Sequence, residues 1–343
     1  MMLHKKLVWL NIFVICSLLM VAGCGDSGSR GPADTAKPQK QIRESEPVQL
    51  SLKFKERDTT VYRLKTESVQ GVQWEGEVPK NSSFKGGENK TNLDMTFHQF
   101  VEGIDKNGIA QVKITIKSLK FSSIVRVNPA IDFDSSREAD QNSALIRLVG
   151  KSYNLYVAPR GNIVDVFNTE AAVAAVEGKG LDNLAALKLI DPNVIMERHG
   201  VLVMPKPDET LLSIGQGWNM LKAYSFGLMG LKAYEKIYTV SDIDKKGDLQ
   251  FAVVEMEAMP STELSRELHS KRQLRDFSDM FDTNEEYVGS LKFDLNAGKI
   301  QQYTEKLNIE WLVVDPAAKP KEIGGPAAVR MKAVRNYNLE RIN

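Results

Sequence analysis

The stretch Ile104-Asp105-Lys106-Asn107-Gly108-Ile109-Ala110-Gln111-Val112-Lys113-Ile114-Thr115-Ile116 decides the fold. From Ala110 to Ile116 apolar and polar residues alternate, the period of a half-buried β-strand. The preceding Asp-Lys-Asn-Gly is turn chemistry: aspartate and asparagine bond their own backbone, and glycine tolerates a left-handed conformation. The same grammar recurs 139 residues later, where Ile243-Asp244-Lys245-Lys246-Gly247 precedes Leu249-Gln250-Phe251. At that same offset Val149-Gly150 meets Val288-Gly289, and each pair is followed by a strand, a turn glycine (Gly161, Gly298) and an isoleucine (Ile163, Ile300). Val61 to Lys65, Leu249 to Met256 and Ile300 to Ile309 are further β-rich runs.

These observations predict a mainly β (α+β) fold: curved antiparallel sheet built from a duplicated ββαββ unit, its copies spanning about 91–168 and 231–312. Chance reuse of a common turn is the competing explanation of the repeat. Within the copies, Ser135 to Leu148 reads as a helix, with Ser135 and Glu138 at capping-box spacing. Thr262 to Phe281 reads as another, with Leu264, Leu268, Leu274, Phe277 and Phe281 on one stripe. A helical insert, about 169–200, separates the copies, and Asp191-Pro192 is an N-cap and first-turn pair inside it. The core is expected from Val112, Ile114, Ile116, Phe251 and Val253 together with the stripe through Leu268 and Phe277.

The N-terminus carries a different signal. His4, Lys5 and Lys6 precede an apolar run from Leu7 to Met20, and Val21-Ala22-Gly23-Cys24 follows. The run is shorter than the about 20 residues a spanning helix needs, and its three-part order is that of a secretory signal peptide. Val21-Ala22-Gly23-Cys24 resembles the lipobox of bacterial lipoproteins. That resemblance implies removal of residues 1–23, lipidation of Cys24, and a membrane contact made through the acyl chains. Gly25 after the cysteine favours the inner face of an outer membrane, where the cell has one. From Cys24 to Val48 the chain is rich in Gly, Ser, Pro, Lys and Glu and reads as a flexible tether. The extracytoplasmic domain is then 49–343.

Composition excludes several functions. The chain has 45 Lys plus Arg against 44 Asp plus Glu; losing Lys5 and Lys6 with the leader leaves 43 against 44. Such a balance attracts no nucleic acid. Of two cysteines, Cys16 leaves with the leader and Cys24 is the lipidation site, so no disulfide is expected. His98, His199 and His269 stand apart from one another, and no metal site is expected. Asp242 to Gly247 has the opening spacing of a calcium loop but Lys246 at a ligand position, and reads as a hairpin turn. Asp132-Phe133-Asp134-Ser135 reads as a loop and cap, and Asp279, Asp282, Glu285 and Glu286 as an acidic helix end. No nucleophile elbow and no phosphate loop occurs, and no cofactor is expected. Paired carboxylates, whose spacing a fold sets, leave a carboxylate-dependent hydrolase as the alternative.

Leu148-Val149-Gly150, Gly215-Gln216-Gly217-Trp218 and Gly289-Ser290-Leu291-Lys292-Phe293-Asp294 resemble motifs of a domain family of unknown function found in bacterial envelope lipoproteins. The architecture is also similar to periplasmic lipoprotein-carrier folds. The first resemblance brings no activity. The expectation is a non-catalytic envelope protein that binds a hydrophobic ligand, a lipid or a protein partner. Leu221-Lys222-Ala223-Tyr224 recurs as Leu231-Lys232-Ala233-Tyr234, which frames a hairpin whose link holds Phe226, Leu228 and Met229. These three are either an adaptable apolar binding lip or a tip folded back into the core.

Overall fold

Period-two sequences become strands here of unusual length. In the computed structural model, which describes residues 46–75, 86–126, 128–226, 230–261, 282–314 and 328–342, the elements run as follows. The first half is β1 (Val48–Gln49), β2 (Thr59–Glu75), β3 (Gly87–Ile104), β4 (Ala110–Val125), β5 (Asn128–Asp134), β6 (Ser152–Val157) and β7 (Ile163–Phe167). The insert holds α1 (Glu170–Val176), α2 (Leu181–Leu189) and α3 (Pro192–His199). The second half is β8 (Leu211–Leu212), β9 (Gly217–Ser225), β10 (Leu231–Lys246), β11 (Leu249–Pro260), β12 (Asp282–Asp294), β13 (Lys299–Val314) and β14 (Ala328–Arg341). The fold is mainly β and antiparallel, as the alternation implied.

Among the described residues one sheet takes twelve strands, in the order β7-β6-β4-β3-β2-β14-β13-β12-β11-β10-β9, with β5 alongside β4. The chain starts at the centre, meanders to one edge, crosses through the insert to the other edge, and meanders back until β14 pairs with β2. Val48, expected at the end of the tether, instead pairs with Leu212, and Gln49 with Leu211. Residues 42–343 form one compact unit, and two hydrophobic clusters lie inside it.

Side-chain contacts across the sheet reveal its curvature. Arg335 on β14 and Tyr224 on β9 are five strands apart, roughly 24 Å along a flat sheet at about 4.8 Å per strand. Yet the guanidinium lies 4.8 Å from the Tyr224 ring centre. Phe226, beyond β9, meets Trp311 of β13 at 5.6 Å. The second half of the sheet therefore curls until its edge strand faces its centre. A twisted sheet of this many strands is expected to curl.

The insert forms as its pattern implied. Asp191 caps α3 by accepting hydrogen bonds from the Asn193 and Val194 amides at 2.9 and 3.3 Å, with Pro192 in the first turn. No described helix is long and apolar enough to cross a membrane.

Three expectations need correction. The Ser135–Leu148 helix is two short 3-10 turns, Glu138–Asp140 and Ala144–Leu148. Ser135 does not cap them; its hydroxyl accepts from the Leu119 amide at 3.0 Å and so ties the loop to the sheet. Val253 does not face the core: the buried face of β11 carries Ala252, Val254 and Met256, while Phe251 lies on the opposite face under Lys292. Asp282, Glu285 and Glu286 belong to β12, not to a helix end. Thr262 to Phe281, including Leu264, Leu268, Leu274, Phe277 and His269, lies outside the described residues, as does Asp279.

The 139-residue offset relates strand register and not side-chain direction. Val112 pairs with Leu155, and Phe251, at that offset, pairs with Asp294. The first pair is buried inward, whereas the second sits on the opposite face, since Ala252 and Phe293 point in. The glycines differ too. Gly150 has φ +84° where the chain enters β6, whereas Gly289 is extended within β12. A Cβ on Gly289 would stand 2.5 Å from the Thr304 carbonyl oxygen. The turns are unlike as well: five residues, Asp105 to Ile109, in the first half and two, Gly247-Asp248, in the second.

Candidate functional site

Alternation on two strands places charges inward. On β10 the inward residues are Tyr234, Lys236, Tyr238 and Val240; on β13 they are Tyr303, Glu305, Leu307, Ile309 and Trp311. Lys236 is 0% exposed and Glu305 6%, and the curl brings them into a direct ion pair across three strand spacings. The Glu305 carboxylate accepts from the Lys236 ammonium and the Tyr303 hydroxyl at one oxygen, and from the Tyr287 hydroxyl at the other, 2.7 Å away. Tyr224 lies 2.7 Å from Tyr287, and Tyr238 lies 2.9 Å from Tyr303. Because Tyr287 commits its proton to Glu305, Tyr224 donates to Tyr287. The Tyr224, Tyr287 and Tyr303 hydroxyls thus point toward one carboxylate, while Tyr238 also has Met220 Sδ within reach at 3.8 Å. Burial, with the nearby Glu305 charge, raises the pKa of Tyr287, Tyr303 and Tyr238, and of Tyr224 likewise. Burial lowers that of Lys236, and the Glu305 charge opposes the shift.

This polar floor ends at a cavity of about 480 Å³ between the sheet and the helical insert. Tyr224, Tyr287 and Glu305 reach it from the second half; Leu93, Phe121 and Ile131 come from the first. The helices α2 and α3 roof it with Leu181, Leu184, Ala185, Leu189 and Val194. The volume falls within the about 300–1,000 Å³ of small-molecule sites, and its wall combines these apolar side chains with charged ones, Glu67, Lys188, Glu197, Arg198, Lys222, Glu305 and Arg335. Leu181 and Leu184 are 63% and 62% exposed, so water faces apolar side chains at the roof.

The expected site residues are placed as follows. The Leu221–Tyr224 and Leu231–Tyr234 segments pair as a hairpin, with Lys232 opposite Tyr224 and Tyr234 opposite Lys222. Phe226 is buried, its ring against Trp311 and beneath Arg335. Its place in the curl withdraws Phe226 from solvent, as the folded-back alternative implies for this residue. Leu228 and Met229 lie outside the described residues, as does Cys24. His199 is half-buried, its ring 2.8 Å from the Tyr153 hydroxyl and edge-on to Phe97; desolvation of that ring, with Arg198 beside it, takes its pKa down to about 3. The acids singled out as possible ligands are engaged by cations or stand apart: Arg137 bridges Asp132 and Asp140, Asp134 pairs with Lys120, and Glu285 with Lys232. Among the described residues no cluster of His, Cys, Asp and Glu could hold a metal ion.

Sequence reasoning missed Lys236 and Glu305. The usable signal was a charged residue flanked at i−2 and i+2 by inward aromatic or aliphatic residues.

A scan against protein-family models finds no match, and a search of curated proteins finds no similar chain.

Proposed function

We propose that this chain is a lipid-anchored extracytoplasmic protein of the bacterial envelope that holds a hydrophobic ligand between its sheet and its helical insert. The observation that carries the reading is the apolar cavity roofed by α2 and α3, with Leu181 and Leu184 exposed at its edge. Large apolar side chains held in water beside a cavity mark a place where something apolar arrives. The anchor rests on Val21-Ala22-Gly23-Cys24 after its apolar run. Binding is favoured over hydrolysis because the lining carboxylates are engaged. Glu67 is bonded to Lys90 and Asn336, Glu197 to Arg335, and Glu305 to Lys236 and two tyrosines. None of these is left as a free acid–base pair of the kind glycoside hydrolysis needs.

The test uses residues 42–343, which contain both hydrophobic clusters, expressed without the anchor in the envelope and examined by native mass spectrometry and lipid extraction. The expected result is a bound hydrophobic species in the wild-type domain that is lost in Leu184→Glu at unchanged melting temperature. An empty wild-type domain that also takes up no hydrophobic probe would refute the cavity function. The anchor is tested separately: Cys24→Ser should abolish palmitate incorporation, and continued labelling would refute it.

A further inference from the structure

We infer that the ligand is a single-chain amphiphile with an anionic head, and that Lys222 is the main cation that receives it, aided by Lys188. This deepens the cavity reading above and rests on it.

The case comes from accounting for each charge on the cavity wall. Its acids, Glu67, Glu197 and Glu305, are neutralised within the protein, as described. Of its cations, Arg335 bonds Glu197 at 2.9 Å while stacking on Tyr224, and Arg198, buried, donates to the Leu189 carbonyl at 2.7 Å. Two cations remain. Lys222 is half-buried on β9, two residues from Tyr224 and so on the same inward face. Lys188 stands exposed on α2. Neither side chain makes a hydrogen bond or an ion pair among the described residues, although both residues line the cavity.

An anionic group placed beside these two unpaired ammoniums, on a wall whose other charges are already matched, would gain charge-assisted hydrogen bonds. The tyrosine network offers no competing donor, because Tyr224 already donates its proton toward Glu305 through Tyr287. The head's charge therefore falls to the lysines. The apolar remainder of the wall, Leu93, Leu189, Leu307 and Tyr337, suits an alkyl tail. Carboxylate and phosphate heads share this chemistry.

Displacement of the neutral fluorophore N-phenyl-1-naphthylamine from residues 42–343 tests the inference, with oleate, oleoyl lysophosphatidate, methyl oleate and butyrate as competitors. Oleate or the lysophosphatidate should displace at concentrations about tenfold below methyl oleate, as one charge-assisted bond implies. Which of the two is stronger identifies the head as carboxylate or phosphate. Butyrate, which lacks a tail, should not compete. The preference for the charged head should shrink in Lys222→Gln, persist in Lys222→Arg, and shrink less in Lys188→Gln. Displacement by methyl oleate as strong as that by both oleate and the lysophosphatidate would overturn the anionic head and leave the cavity function standing. A preference unaltered in Lys222→Gln would overturn the role of Lys222. Failure of the fluorophore and of every long-chain competitor to bind would remove the cavity function, and the inference with it.

Discussion

The two halves of this sheet are meanders of similar strands, yet they fill their interiors in opposite ways. The first half is packed by other elements. Leu64, Met95, Ile114 and Leu155 meet Leu145 and Leu148 of the 3-10 turn and Val176, Ala186 and Ile195 of the helices in one largely aliphatic cluster. The second half packs largely against itself. Its cluster is rich in aromatic side chains (Trp218, Tyr224, Tyr238, Tyr287, Tyr303 and Trp311), and a buried ion pair lies among them. The helices supply volume in one half; in the other the curl supplies it, drawing Tyr224 of β9 onto β14 and Phe226, just beyond β9, onto β13. Long aromatic side chains suit the second solution because they reach across the space a curled sheet leaves, and their hydroxyls satisfy the charges there. The cavity lies where the two solutions meet, at the edge of the helical packing and the end of the tyrosine network.

The largest expected effect breaks the second half. Glu305→Ala leaves Lys236 buried without its counterion and the Tyr287 and Tyr303 hydroxyls without their acceptor, which should cost about 3–5 kcal/mol in urea unfolding. Replacing both partners, Lys236→Met with Glu305→Leu, should recover most of that loss. An equally destabilised double variant would mean that the tyrosines depend on the carboxylate more than the lysine does.

The first half should respond to acid through His199. Its pKa of about 3 lies below the ordinary value of 6.5 because the ring is buried, so the folded state resists a proton that the unfolded chain accepts. The stability associated with the neutral ring is complete above pH 6.5 and is lost as pH falls toward 3, at about 1.4 kcal/mol per pH unit. His199→Gln, which retains an acceptor for Tyr153, removes that dependence. The difference in unfolding free energy between wild type and variant should therefore narrow on acidification from pH 6.5 to 4, and parallel curves would contradict a buried neutral ring. Asp191→Ala, which removes the cap of α3, should cost only about 1 kcal/mol, because the helix is held mainly by Ile195 in the core. A much larger loss would make the cap the anchor of the whole roof.

The contrast between the halves also explains what could be read in advance. Alternation on Ala110–Ile116 is unambiguous, and Val112, Ile114 and Ile116 are buried. Leu249 to Met256 has apolar residues at both parities, so period two alone cannot choose between Phe251-Val253 and Ala252-Val254-Met256. A register shift at Ser241 on the neighbouring strand further breaks any extrapolation from one hairpin to the other. The insert was readable because proline, a capping aspartate and helical spacing coincide at Asp191 to His199. Ser135 to Leu148 carried a capping spacing, but its serine is drawn away by the Leu119 amide, a contact from a strand that local spacing cannot register. Lys236 and Glu305 were hidden because a charged residue in an alternating strand is ordinarily taken to face water; only the curl of the sheet makes them partners. The cavity itself unites residues from positions 66 to 337, and no local motif encodes it.

The most direct test of ligand binding at the meeting of the two halves is photo-crosslinking with a fatty acid that carries a diazirine in its tail, followed by peptide mapping on residues 42–343. Labelling should concentrate on Leu184, Leu189, Leu307 and Tyr337, and excess oleate should suppress it. Labelling spread over exposed apolar residues elsewhere, such as Leu211 and Leu249, and indifferent to oleate, would contradict a ligand site between the sheet and its helical roof.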